Sequence, residues 1–211
     1  MRKYTIFIIF LAQLIHAGAH QYPKGWDELQ NNQNWKLIKE TNRIKIFSKK
    51  ISVSPLPAYR AELISTLDNE SLIRTAWNVE YSQKIFPNAY IIDAGIYNHN
   101  GNKGYTAFQV FDIPMLAPRL YQFNSIRLKD SVHWSKTDTV DNPQKMLLPP
   151  VNFGSWQVEK IDDKSKLIYR LCTNPGGYVP LWIVRQANQY YLPQMLIDFE
   201  SYATKNKINY F

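Results

Sequence analysis

The stretch Asn174-Pro175-Gly176-Gly177-Tyr178-Val179-Pro180-Leu181-Trp182 separates two kinds of sequence. Before it, Ser155 to Ile161 and Lys166 to Thr173 alternate apolar and polar residues across the polar turn Asp162 to Ser165. That is the pattern of an antiparallel pair with one covered face. Pro175 lacks a donor and the two glycines permit positive φ, so the ladder must stop there. Pro180 sacrifices no hydrogen bond at a first helical position and restarts the chain as a helix. The helix is expected from about Pro180 to Lys205, with Val184, Ala187, Tyr191, Met195, Phe199 and Tyr202 at spacings of three and four and a kink at Pro193. Packing against a core is the plainest use of such a stripe.

Upstream, Trp26 to Gln33 reads as a short leading helix, and Trp35 to Glu40 with Ile44 to Lys49 as a hairpin across Thr41-Asn42-Arg43. A third strand, Tyr59 to Thr66, precedes a helix with Asp68 as N-cap, Glu70 in the first turn and Leu72, Ile73, Ala76 and Trp77 on one face; Pro87 ends that segment. Four more strands are expected: Ala89 to Tyr97, Tyr105 to Phe111, Arg119 to Leu128 and Ser131 to Val140. The run Asp141 to Val151, with three prolines, is expected to be a loop. The pattern predicts an α+β domain of eight or nine antiparallel strands with a long carboxyl-terminal helix. A sheet that large curls, and the helix would fill its hollow side.

The first nineteen residues differ from the rest. Arg2 and Lys3 open them, an apolar run from Ile6 to Ile15 follows, and Ala17-Gly18-Ala19 closes them with small residues. This is the layout of a secretory signal peptide, and the apolar run is far short of the ~20 residues that cross a bilayer. The expected divisions are thus a signal at 1–19, a lead-in at 20–32, one domain at 33–205 and a tail at 206–211. Export to the periplasm follows for a bacterial source, and secretion otherwise. Cys172 is the only cysteine, so no intrachain disulfide exists, and the position after the signal is His20 where a bacterial lipoprotein requires cysteine. At 211 residues, 45% hydrophobic and 20% charged, the chain can bury a full core without staples. Its formal charge of +8 falls by two with the signal and stays basic. The basic residues are scattered, which argues against nucleic acid and fits attraction to anionic lipid headgroups.

Several pieces stand in a telling order: Trp35-Lys-Leu-Ile-Lys-Glu40 with Ile44-Lys-Ile-Phe47, the helix holding Trp77, Pro114-Met-Leu-Ala-Pro-Arg119 opening a strand, Phe153-Gly-Ser-Trp156, the Pro175-Gly-Gly corner and Pro180-Leu-Trp182. Together they resemble the START (StAR-related lipid-transfer) domain over about Gln33 to Thr204. The resemblance implies a helix-grip fold, in which a curved antiparallel sheet wraps a long terminal helix and leaves a hydrophobic tunnel for one lipid or sterol. Departures exist: Leu120 follows Arg119 where the family usually has Asp, and Asn174 replaces the Asp before Pro-Gly-Gly. Where sterol-binding members keep a buried acid and arginine, the approximate alignment gives Thr106 and Ser125.

Residues expected to line the tunnel are Phe108, Val110, Tyr121, Phe123, Trp134, Trp156, Val158 and Leu171 on strands, with Ile183, Ala187 and Tyr190 on the helix. A one-residue slip in a strand reverses every such assignment. Arg170 is the first choice for a polar headgroup contact, against an ordinary surface role, with Tyr105, Tyr121 and Gln186 behind it. The apolar loop holding Ile113, Met115 and Leu116 either packs beneath the sheet or forms a flap that opens the tunnel at a membrane. No catalytic set, metal site or cofactor motif is found: His20, His99 and His133 lack ligand spacing, and there is no nucleophile elbow or phosphate loop. The expectation is a monomeric, non-enzymatic, exported carrier of a lipid or other hydrophobic small molecule, touching membranes transiently. Alternatives are an enzyme of the cyclase or aromatase kind, in which His133 with Tyr121 would supply acid and base, and an interaction module with a vestigial cavity.

Overall fold

Among the described residues, apolar alternation gives nine strands, β1 Lys36–Glu40, β2 Ile44–Lys49, β3 Ala58–Ser65, β4 Ile91–His99, β5 Gly104–Phe111, β6 Arg119–Arg127, β7 Ser131–Lys136, β8 Val151–Ile161 and β9 Lys164–Asn174. A computed structural model describes residues 22–206 apart from Met115, Thr139, Tyr178 and Pro180, and apart from the side chains of Asn102, Leu181, Ile183, Arg185, Gln186 and Ala187. The expected signal segment and the end of the tail therefore lie outside the described residues. All nine strands form one antiparallel sheet in the order β1-β2-β3-β9-β8-β7-β6-β5-β4. The sheet is open, with β1 and β4 at its edges, and β9 returns from the end of the sequence to pair with β3 in its interior.

The described residues also form four α-helices: α1 Trp26–Gln30, α2 Asn69–Trp77, α3 Ser82–Ile85 and α4 Leu181–Asn206. Asp68 caps α2 as expected, its carboxylate accepting from the Ser71 amide at 2.8 Å. One face of the sheet, here the inner face, packs on α2, α3 and the second half of α4 through Ile46, Leu63, Leu167, Trp156, Leu192, Leu196 and Phe199. The outer face carries a smaller second core, in which α1 sets Trp26 and Leu29 against Ala58, Phe153 and Cys172.

Several boundaries depart from the sequence reading, and two of them shape the sheet. β8 begins at Val151, so Val151 to Gly154 belong to the sheet and not to the preceding loop, and β7 ends at Lys136, four residues early. Gly154 explains the first. Glycine weakens a strand signal, but here a second group occupies its place: a Cβ at 154 would fall 2.3 Å from Cζ2 of Trp134 and 2.2 Å from the Arg170 carbonyl oxygen. The fold is thus an α+β helix-grip arrangement, a nine-stranded antiparallel sheet with a long carboxyl-terminal helix on its inner face.

Candidate functional site

Strand register decides which side chains share the inner face. Ala107 stands opposite Phe123, and Tyr105 opposite Ser125, so Tyr121 and Phe123 point inward with the odd residues of β5. Register then carries inward from Ser125 to Trp134, from Trp134 to Gly154, and from Gly154 to Leu171. Trp156 faces Tyr169, and Asn152 faces Thr173, on the same side. Trp134 lies across the gap left by Gly154, stacks on Tyr169 at 5.7 Å between centroids, and Tyr169 meets Trp156 at 4.3 Å. Trp156 in turn stacks on Phe199 of α4 at 4.7 Å.

The inner face is sealed unevenly. Under the second half of α4, Leu63, Leu167, Leu196 and Phe199 are 0% exposed. At the other end, where β9 leaves the sheet and β6 begins, Tyr121, Tyr169, Leu171 and Thr173 are only partly buried although their strands lie inside the sheet. Burial nevertheless pushes the Tyr169 phenol well above its ordinary pKa, with the Tyr191 and Tyr121 phenols adding to the effect. Tyr191 of α4 and Tyr121, both raised by burial, stand near Tyr169. Phe111 meets Tyr121 edge-on at 5.0 Å. The candidate site is therefore the loosely sealed part of the inner face beneath the first half of α4, where Tyr121, Tyr169, Leu171 and Tyr191 stand beside Trp134 and Trp156.

The end of this region where β9 leaves the sheet is held by Arg119. This buried guanidinium donates to the carbonyls of Ala117, Pro175 (3.2 Å) and Gly176 (3.4 Å), tying the loop before β6 to the corner before α4. Gly176 and Gly177 have φ of 70° and 69°, a region that favours glycine, so the corner turns as its sequence requires. Trp182, one residue into α4, is 62% exposed, while Ile113 and Leu116 are half-buried in the loop ahead of Arg119.

Tyr121, Phe123, Trp134, Trp156, Val158 and Leu171 share the inner face of the sheet. Four expected site residues stand elsewhere. Phe108 and Val110 point outward, because Ala107 takes the inward position opposite Phe123; they line an open cleft of about 1090 Å³ between the outer face and the segment Val140 to Leu147. Arg170 also points outward, since neighbours on a strand face opposite ways and Leu171 faces in. It is 2% exposed and donates to Gln157 (2.8 Å) and Asn32 (3.0 Å), beside Arg60, as a strut for the segment after α1. Tyr190 is 75% exposed, with Lys39 Nζ 5.5 Å from its ring centroid. Met115 and the side chains of Ile183, Gln186 and Ala187 are outside the described residues. Tyr169, Thr173, Tyr191 and Arg119 were not singled out as lining; once Leu171 is placed inward, strand alternation alone delivers Tyr169 and Thr173. Among the described residues no group of three or more His, Cys, Asp or Glu could hold a metal ion. No described helix is long and apolar enough to cross a membrane.

No protein-family profile matches the sequence, and no curated protein matches it significantly. Solved structures do match in fold. A STAR-related lipid transfer protein from Xanthomonas axonopodis aligns over 81% of this chain and 99% of its own, with a TM-score of 0.71 at 16% identity. Human STARD10 aligns over 85% of this chain and 76% of its own, with a TM-score of 0.71 at 13% identity. The di-domain aromatase/cyclase StfQ of the steffimycin biosynthetic pathway aligns over 71% of this chain and 51% of its own, with a TM-score of 0.53 at 8% identity. The fold is that of START and helix-grip domains, a class that includes proteins named for lipid transfer and an aromatase/cyclase.

Proposed function

We propose that the protein is an exported carrier that holds one lipid or similarly hydrophobic molecule beneath the first half of α4. The uneven sealing of the inner face carries this reading: partly buried Tyr121, Tyr169 and Leu171 stand beside fully buried Leu167 and Phe199. Each methylene withdrawn from water contributes roughly 0.8 kcal/mol, so a chain of about sixteen carbons supplies roughly 12 kcal/mol before ordering costs. Exposed Trp182 and half-buried Leu116 and Ile113 around the Arg119-braced corner support a gate that meets a membrane surface, which the basic net charge favours. The signal-like segment supports export, to the periplasm or the exterior. The carrier works as a monomer, by binding and without chemistry.

Native mass spectrometry of protein purified from its own host tests the reading. A co-purifying lipid released only on unfolding is expected; an empty protein that takes up no lipid from vesicles overturns it. A second reading, a cyclase-like enzyme, draws on the StfQ fold similarity and on the neighbouring phenols Tyr121, Tyr169 and Tyr191. Those phenols are held protonated by burial, which suits donors better than bases near neutral pH. Recovery of an unmodified lipid after prolonged incubation separates the two.

A further inference from the structure

The open cleft of about 1090 Å³ on the outer face, beside Phe108 and Val110, has fixed walls. The Leu120 amide donates to the Leu147 carbonyl (3.0 Å), and Gln122 Nε2 donates to the Asp141 carbonyl (3.2 Å). Between these two pins Asn142 closes the segment on itself, accepting from the Met146 amide (3.0 Å) and donating to its carbonyl (2.6 Å). On the sheet side a Cβ at Gly95 would fall 2.9 Å from the Phe108 ring, so the ring covers Gly95 and meets Tyr97 at 4.8 Å between centroids. Ile92 and Tyr97 nevertheless stay 54% and 42% exposed. The volume is close to the upper end of small-molecule sites, roughly 300–1,000 Å³.

The charged lining is two carboxylates, Asp93 and Asp141, against one ammonium, Lys145, on a chain whose net charge is +8. Among the described residues none of the three forms an ion pair. Gln122 is 3% exposed and its Oε1 is buried without a donor, while the nitrogen of the same amide reaches the Tyr97 hydroxyl (3.3 Å) and Asp141. Unpaired negative charge beside aromatic rings suits a hydrophobic cation: the carboxylates attract it, and the negative faces of the rings receive it. An anion would meet two like charges there. We infer that this cleft is a second binding site, on the opposite side of the sheet from the region beneath α4, for a small amphipathic amine. Its apolar body lies on Phe108, Val110, Leu120 and Met146, and its ammonium is directed to Asp93 and Asp141. The inference does not depend on the carrier reading.

The test titrates phenylbutylammonium, phenylbutanoate and phenylbutanol into isotope-labelled protein and follows the backbone amide chemical shifts. Saturable shifts at Ile92, Tyr97, Phe108 and Lys145 are expected, tightest for the cation and weakening as salt rises. Asp93→Asn combined with Asp141→Asn should weaken the cation roughly two- to tenfold and leave the alcohol unchanged. Both carboxylates are on exposed residues, so the fold should persist. If it does not, the preference of the wild type for the cation, and its loss in salt, decides the same question. Absence of binding, equal or tighter binding of either other probe, an unchanged affinity in the double variant, or shifts confined to inner-face residues such as Tyr169 and Leu171 overturns the proposal. So do cleft shifts that appear on concentrating the protein alone, since a second copy would then cover this surface.

Discussion

Trp134 occupies the space that a side chain at Gly154 would fill: a Cβ at 154 would come within 2.3 Å of its ring. The two residues are register partners on neighbouring strands, and the missing side chain lets the indole lie down on the sheet toward Tyr169. Gly154→Ala should therefore strain both the ring and the adjacent strand β9, at a cost of roughly 1–3 kcal/mol. Thermal unfolding checks this. An unchanged Tm would mean that the indole moves freely, and the sheet beneath α4 would then be soft.

Arg119 should matter out of proportion to its lack of a carboxylate partner. Arg119→Gln removes charge-assisted bonds to Pro175 and Gly176, and each such bond is worth roughly 1.5–3 kcal/mol when buried. Faster proteolytic cleavage between the corner and the first turn of α4 is expected. Arg119→Lys should rescue poorly, since an ammonium lacks the planar fork that reaches several carbonyls at once. Equal resistance of both variants and wild type would show that the corner holds itself.

Leu116→Ser with Trp182→Ser should slow lipid uptake from vesicles severalfold and leave Tm nearly unchanged, because Trp182 is exposed and Leu116 half-buried. Stopped-flow uptake of a fluorescent lipid reads the first and calorimetry the second. Parallel losses in both would place these side chains in the core.

Cys172 is fully buried against Trp26, Leu29 and Phe153, and burial pushes its thiol up to about 12. Native protein at pH 8 should resist a thiol-specific chromogenic reagent, with labelling limited by opening of the outer core. Rapid stoichiometric labelling would contradict the packing of α1.

Glu70 bonds Arg74 at 2.6 Å and Arg127 at 2.7 Å, and these partners hold its carboxyl below the usual range. A carboxylate with a depressed folded pKa stabilises fully above its unfolded value, near about 4.3, and loses that contribution as pH falls through the folded one. Half the side chain faces solvent, so the effect should stay below about 1 kcal/mol. Glu70→Gln should flatten the fall of Tm with acidification in that window. An identical acid profile would mean that solvent screens the cluster completely.

Much of the architecture was legible because each strand repeats every second residue and α4 at three and four. The corner was legible from chemistry alone, since proline and paired glycines leave few alternatives. Faces were harder. Arg170 and Leu171 cannot both look inward from one strand, and that rule, applied to β9, recovers Tyr169 and Thr173 as lining. For β5 no local rule suffices: Phe108 and Ala107 are both apolar, and only pairing with Phe123 chooses between them. The outer core escaped notice because α1 is five residues long and its partners, Phe153 and Cys172, sit far away in sequence.

The seating of α4 has a mechanical consequence. A rod clamped along its far half by Leu192, Met195, Leu196 and Phe199 has its anchorage away from the corner, so movement at the near end need not disturb the clamp. On the proposed carrier reading, loading and unloading would draw on the local stability of a few turns and leave the global stability of the domain untouched.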